Sequence, residues 1–144
     1  METQLAGTTS EKAKQLYELL KHREMPVEAL ERIVPLSSDF IKEFCSVIKE
    51  QIAAEAEGHK YALGIISQVM NKLASIIENK EITDEEQKAI LDCISQLGEQ
   101  LRNIQNSKQN GDTIFKSVLA VCVTFLIGII FILIGREPPM QTNN

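Results

Sequence analysis

Residues 117–135 read SVLAVCVTFLIGIIFILIG, and this stretch decides what kind of molecule the chain forms. Only Ser117 and Thr124 carry polar side chains, so a helix built from these residues has no polar face. At ~1.5 Å per residue the helix would be about 28 Å long, which matches a hydrocarbon core of roughly 30 Å. The stretch predicts a transmembrane helix over residues 114–135. The alternative is a buried core helix of a helical bundle.

The charges that flank this stretch predict its orientation. Arg102, Lys108 and Lys116 lie on its N-terminal side, whereas Arg136 is the only Lys or Arg that follows it. Cytoplasmic flanks of membrane spans carry an excess of Lys and Arg. We therefore expect a single-pass protein in a lipid bilayer, with a cytoplasmic N-terminal head and a short tail, residues 136–144, on the opposite side.

The chain up to residue 113 has the length of one domain and is acidic. It holds 13 Lys and Arg against 19 Asp and Glu, which gives a net charge of −6. This charge argues against nucleic acid as a partner, because phosphate binding needs a basic surface. The three cysteines, Cys45, Cys93 and Cys122, are widely spaced and form no metal-binding pattern, so we expect them to be buried, small apolar side chains.

Helical periodicity runs through almost all of this head and predicts an all-α fold, a small helical bundle. Two consecutive helices of about 20 residues have the clearest pattern, because their apolar residues recur at alternating spacings of three and four. Thr83 and Glu86 form a predicted capping box between them. We expect the two helices to fold into an antiparallel hairpin with coiled-coil spacing along its seam. The predicted seam residues are Ile66, Val69, Leu73, Ile76, Ile90, Ile94, Leu97, Leu101 and Ile104.

Turn and capping signals place the other helix boundaries of the head. They are the caps Thr9 or Ser10, the first-turn Pro26, the helix-ending Pro35, the caps Ser37 or Ser38, and the helix stop Gly58. Residues 105–113 follow the last head helix and include the run QNSKQNGD, which has no apolar residue. The predicted organisation is therefore a cytosolic bundle (1–104), a polar flexible neck (105–113), a transmembrane helix (114–135) and a short tail (136–144).

No pattern in the sequence indicates catalysis. His22 and His59 are the only histidines, and neither has a Cys, Asp or Glu partner at metal-ligand spacing. The glycines are scattered and form no phosphate-binding loop, and no nucleophile motif is present. We therefore expect a non-enzymatic protein with no catalytic residue, no bound cofactor and no metal.

Three small residues in the predicted span, Ala120, Thr124 and Gly128, recur at four-residue spacing on one helix face. Small residues at this spacing let two helices approach closely in a membrane. They predict a helix–helix packing face and a possible homo-oligomer, although small residues are common in spans and their spacing can arise by chance.

The order of helical head, neck, C-terminal span and tail is shared by many unrelated tail-anchored proteins, so it identifies no family. It leads to two functional hypotheses. In the first, the chain is a tail-anchored adaptor or regulator whose head binds a protein partner at a membrane. In the alternative, it is a small membrane-active effector, such as a toxin, pore former or phage-defence protein, that oligomerises through its transmembrane helix.

Overall fold

The computed structural model of the chain describes residues 5, 7–34, 36–55, 60–78, 80–107 and 110–135. This part of the chain forms six helices and no strand, which confirms the all-α class and the helical bundle. The helices are α1 (Thr9–His22), α2 (Val27–Ile33), α3 (Ser38–Glu55), α4 (Lys60–Ile77), α5 (Asp84–Gln105) and α6 (Gly111–Leu133).

Helix α1 begins with a capping box, one residue earlier than the sequence predicts. The Thr8 hydroxyl accepts a hydrogen bond from the Glu11 backbone N–H, and the Glu11 carboxylate accepts one from the Thr8 N–H. Thr8 therefore takes the role expected of Thr9 or Ser10, because Glu11 stands three residues after Thr8. These two bonds satisfy N–H groups that the first turn leaves without intrahelical partners.

The starts of α2 and α3 follow the prediction closely. Pro26 is the N-cap of α2, directly before its first turn. The Ser37 hydroxyl accepts a hydrogen bond from the Phe40 N–H at 3.1 Å and so caps α3. Pro35 and Gly58, the two predicted helix stops, lie outside the described residues.

The predicted capping box of α5 is confirmed, and a lysine adds to it. Thr83 and Glu86 exchange two hydrogen bonds between side chain and backbone, at 3.2 and 3.0 Å. The other carboxylate oxygen of Glu86 lies 2.9 Å from Lys80 Nζ. The Ser38 hydroxyl donates to the Lys80 carbonyl at 2.6 Å, which ties the connection between α4 and α5 to the start of α3.

The prediction that α4 and α5 pack directly on each other along a seam is wrong, because α6 lies between them. Among the described residues, no Cα atom of α4 comes within 8 Å of one in α5, whereas α6 contacts both helices and also α3. Helix α5 packs on α1, α2 and α6, and helix α4 packs on α3 and α6. The seam residues are still inside the bundle: Ile66, Leu73, Ile90, Ile94, Leu97 and Leu101 are buried, and Val69, Ile76 and Ile104 are half-buried.

Helix α6 begins at Gly111, three residues before the start predicted for the span. The Asn110 side chain accepts a hydrogen bond from the Thr113 N–H at 2.9 Å and caps the helix. Because α5 ends at Gln105, the connection between the two helices comprises residues 106–110, which is shorter than the predicted neck. Gly135 follows the end of α6 with a φ of 77°, a left-handed conformation that glycine adopts at low cost. The predicted tail, residues 136–144, lies outside the described residues.

Candidate functional site

The candidate functional site is α6 together with the surface of the bundle on which it packs. Residues Thr113–Leu133 form a helix of 21 residues with a mean hydropathy of 2.6, long and apolar enough to cross a membrane. Within its most apolar window only 33% of the residues are buried inside the protein. Most of the other residues in this window are half-buried, and the exposed ones are Lys116, Ala120 and Thr124.

One side of α6 belongs to the core of the bundle. Cys122, Leu126 and Ile129 have no exposed surface at all. The Phe125 ring meets the Phe44 ring of α3 edge to face, with 5.8 Å between their centroids. Aromatic pairs favour this arrangement because the positive edge of one ring faces the negative face of the other. The buried side of α6 comprises Phe115, Cys122, Phe125, Leu126, Ile129, Ile130 and Leu133.

The opposite side of α6 faces outward and carries two of the three predicted packing residues. Ala120 and Thr124 are exposed, and Ile134, which follows the helix, keeps 44% of its surface exposed. Gly128 is half-buried at the border between the two sides. A Cβ placed on Gly128 would lie 3.8 Å from the Sγ of Cys93 in α5. The predicted face is therefore divided: two residues are open, and the third lies against the bundle.

Burial accounts for the state of the two cysteines on α3 and α5. Cys45 is fully buried, and the loss of solvation raises the pKa of its thiol far above the ordinary range. Burial, with a smaller contribution from the charge of Asp92, raises the pKa of Cys93 to about 11. The protonated thiol is the stable form of both side chains at neutral pH, and it is a weaker nucleophile than the thiolate. Cys45, Cys93 and Cys122 form no disulfide.

The described residues contain no group of three or more His, Cys, Asp or Glu side chains placed to hold a metal ion. His22 lies on the exposed surface of α1, where its Nε2 is 3.4 Å from a carboxylate oxygen of Glu18 one turn earlier. His59 lies outside the described residues. A shallow depression on α1 is lined by Lys14, Gln15, Glu18, Leu19, His22 and Arg23. All of these residues belong to one helix and its C-cap, so no second element contributes a side chain to the depression.

The docking of α6 on α3 and α5 is the feature that sequence patterns did not predict. The length and apolarity of α6 predict a span, but a helix that is apolar all round gives no indication of which side faces protein. The sequence signal that could have predicted this docking lies in α4, whose segment Gly64–Ile77 is a shorter apolar helix that needs apolar neighbours. Comparisons with protein-family models, with curated proteins and with solved structures find no match to this chain.

Proposed function

We propose that this chain is a non-enzymatic membrane protein, anchored by α6, whose acidic helical head binds a protein partner as an adaptor or regulator. The observation that carries the proposal is the outward side of α6. On that side the apolar side chains of Val123, Ile127 and Phe131 are only half-buried by protein, and lipid is the medium in which such partly uncovered apolar surface is stable. The head faces the cytoplasm in this proposal, following the excess of Lys and Arg on its side of α6.

A substitution at Thr124 tests the membrane part of the proposal. Thr124 is exposed and lies near the middle of the apolar segment, so Thr124→Lys leaves the packing of α6 in the bundle intact. A lysine at the centre of a membrane span opposes insertion by roughly 2.5–3.5 kcal/mol. The full-length protein should therefore stay with the membrane fraction under alkaline carbonate extraction, and the Thr124→Lys variant should be released.

The matched control is Thr124→Leu, which keeps the position and makes it more apolar. It should remain with the membrane as the parent chain does. Equal extraction of all three proteins into the soluble fraction would favour the alternative, in which α6 is a core helix of a soluble bundle.

The charge of the head suggests the chemistry of its partner. A net charge of −6 over residues 1–113 attracts a basic protein surface, and salt weakens such attraction between exposed charges. Crosslinking in native membranes should capture a partner whose yield falls as the salt concentration rises. The Thr124→Lys variant, which lacks the anchor, should lose that partner if binding takes place at the membrane.

The exposure of Ala120 and Thr124 favours a second candidate, a membrane-active effector that oligomerises through α6. Ala120→Ile would separate two spans that pack through this face, without touching the bundle. The control is Leu119→Ile, which places the same isoleucine about 100° round the helix from Ala120 and leaves the side-chain volume at position 119 unchanged. Dye leakage from vesicles and energy transfer between labelled chains that both fall in Ala120→Ile, but not in Leu119→Ile, would favour the effector. Intact vesicles would favour the adaptor.

A further inference from the structure

We propose that α6 is either docked on the bundle or inserted into a bilayer, and that the two states exclude each other. The head therefore covers α6 until α6 inserts into a membrane. This inference rests on the proposed role of α6 as a membrane span. It adds that the bundle surface beneath α6 becomes exposed only in the membrane-inserted state. Three observations carry it: the register of α6 on α5, the charges of α5 at that level, and the length of the connection between the two helices.

The contact between Gly128 and Cys93 fixes the register. The two residues face each other, with 3.8 Å between Cys93 Sγ and the position of a Cβ on Gly128. The connection from α5 to α6 is short, so the two packed helices run antiparallel. Residues of α5 that follow Cys93 therefore lie beside residues of α6 that precede Gly128, in the middle of the apolar segment.

Charged and polar side chains occupy α5 at this level. Asp92, Gln96 and Glu99 are all exposed, and the Gln96 amide donates a hydrogen bond to the Asp92 carboxylate at 2.9 Å. If docked α6 crossed a bilayer, it would carry α5 into the hydrocarbon together with the carboxylates of Asp92 and Glu99. One carboxylate near the bilayer centre disfavours insertion on the order of a hundredfold. The same problem arises on α3, where exposed Lys42 lies two residues from the Phe44 ring that contacts Phe125.

The two ends of α6 allow it to leave the bundle as an intact helix. The helix has its own N-cap at Asn110 and its own left-handed glycine at Gly135, so neither end depends on the contacts with α3, α4 or α5. When α6 leaves, it uncovers Phe44 on α3, Cys93 on α5 and the apolar face of α4. Membrane insertion and exposure of this surface are thus one event.

A disulfide tests the exclusion directly. In Gly128→Cys the new Cβ lies 3.8 Å from Cys93 Sγ, within reach of a disulfide after a small adjustment. Oxidation of the full-length variant in the absence of membranes should join residues 93 and 128, as read by peptide mass. The locked protein should not insert into phosphatidylcholine vesicles, scored by flotation and carbonate resistance. Reduction should restore insertion to the wild-type amount.

The control variant is Gly128→Cys with Cys93→Ala, which should insert equally with and without oxidant. Insertion of the locked protein to the same extent as the reduced protein would overturn the exclusion. A folded Gly128→Cys protein that forms no 93–128 disulfide would overturn it too, because α6 would then not occupy the docked position. Failure of wild type and of every reduced variant to insert would instead reject the proposed span, and with it this inference.

A second pair of variants changes the docking surface without changing α6. Phe44→Ala removes the ring that contacts Phe125, so it should increase the fraction of protein inserted into vesicles. Leu30→Ala is the control, since Leu30 is equally buried but belongs to α2, which contacts α5 and not α6 among the described residues. An increase in Phe44→Ala alone supports release of α6 from its docking surface. An equal increase in both variants would mean that general loss of stability, rather than undocking, admits α6 to the membrane.

Discussion

At the scale of single residues, two glycines inside helices have opposite surroundings. Gly64 in α4 is exposed, and a Cβ added there would meet no atom within 4 Å. A Cβ on buried Gly98 in α5 would lie 3.0 Å from Leu20 Cδ2 and 3.3 Å from Leu20 Cβ. Gly98 therefore lets α5 approach α1 closely, and Arg102, one turn later, uses this proximity to donate hydrogen bonds to the carbonyls of Leu20 and Arg23 at 2.9 and 2.6 Å.

This difference predicts opposite effects of side chains at the two positions. Gly64→Ala should raise the free energy of unfolding by about 0.5–1 kcal/mol, because alanine loses less backbone entropy in a helix. Gly98→Val should lower it by about 1–3 kcal/mol, because the larger side chain would push α1 away from α5. Thermal denaturation followed by circular dichroism measures both. A Gly98→Val protein as stable as wild type would contradict the close approach of α1 and α5.

At the scale of the helix, the start of α5 combines a capping box with an ion pair. Burial of Glu86 acts to raise its pKa, but the hydrogen bond from the Thr83 N–H and the interaction with Lys80 outweigh it, so the pKa ends below its ordinary value. The charged carboxylate also lies at the positive end of the helix. The ionised form of Glu86 therefore stabilises the folded chain.

The lowered pKa predicts how stability depends on pH. The unfolded carboxyl binds its proton at a higher pH than the folded one, so the contribution of Glu86 is complete above the ordinary value of 4.5 and is lost as the pH falls through the lower folded pKa. Glu86→Gln should reduce stability near pH 7 by about 0.5–1 kcal/mol. The difference in melting temperature between the two proteins should shrink below pH 4.5. A difference that stays constant across this range would exclude the charge as its source.

At the scale of the whole molecule, α6 and the head share one core. The buried cluster runs without interruption from Leu16 in α1 through Phe44 in α3 to Leu126 in α6. Helix α6 contacts both α4 and α5, whose Cα atoms do not approach within 8 Å of each other in the described part of the chain. A head without α6 would therefore expose apolar surface on both of these helices.

Truncation tests this shared core. A chain of residues 1–110 should keep its helical circular dichroism but should unfold with less cooperativity, and it should self-associate, because the surface beneath α6 meets water. The matched control, residues 1–135, retains the whole of α6. It should unfold as the full chain does when both are measured in one detergent. A monomeric 1–110 fragment with a sharp thermal transition would show that the head has a complete core of its own.

The sequence by itself determined the helical class, the capping box at Thr83, a cap at Ser37 or Ser38 and the apolar helix near the C-terminus. Each of these follows from local physics, since a cap depends on residues three positions apart and a hydropathic segment on its own composition. Only the tertiary structure decided that α6 closes the seam between α4 and α5 and that Gly128 lies against Cys93. The spacing of Ile90, Ile94 and Leu97 shows that α5 has an apolar stripe, but any apolar helix of suitable shape can cover such a stripe. The choice between neighbours depends on the fit of distant side chains, and the heptad pattern carries no information about that fit.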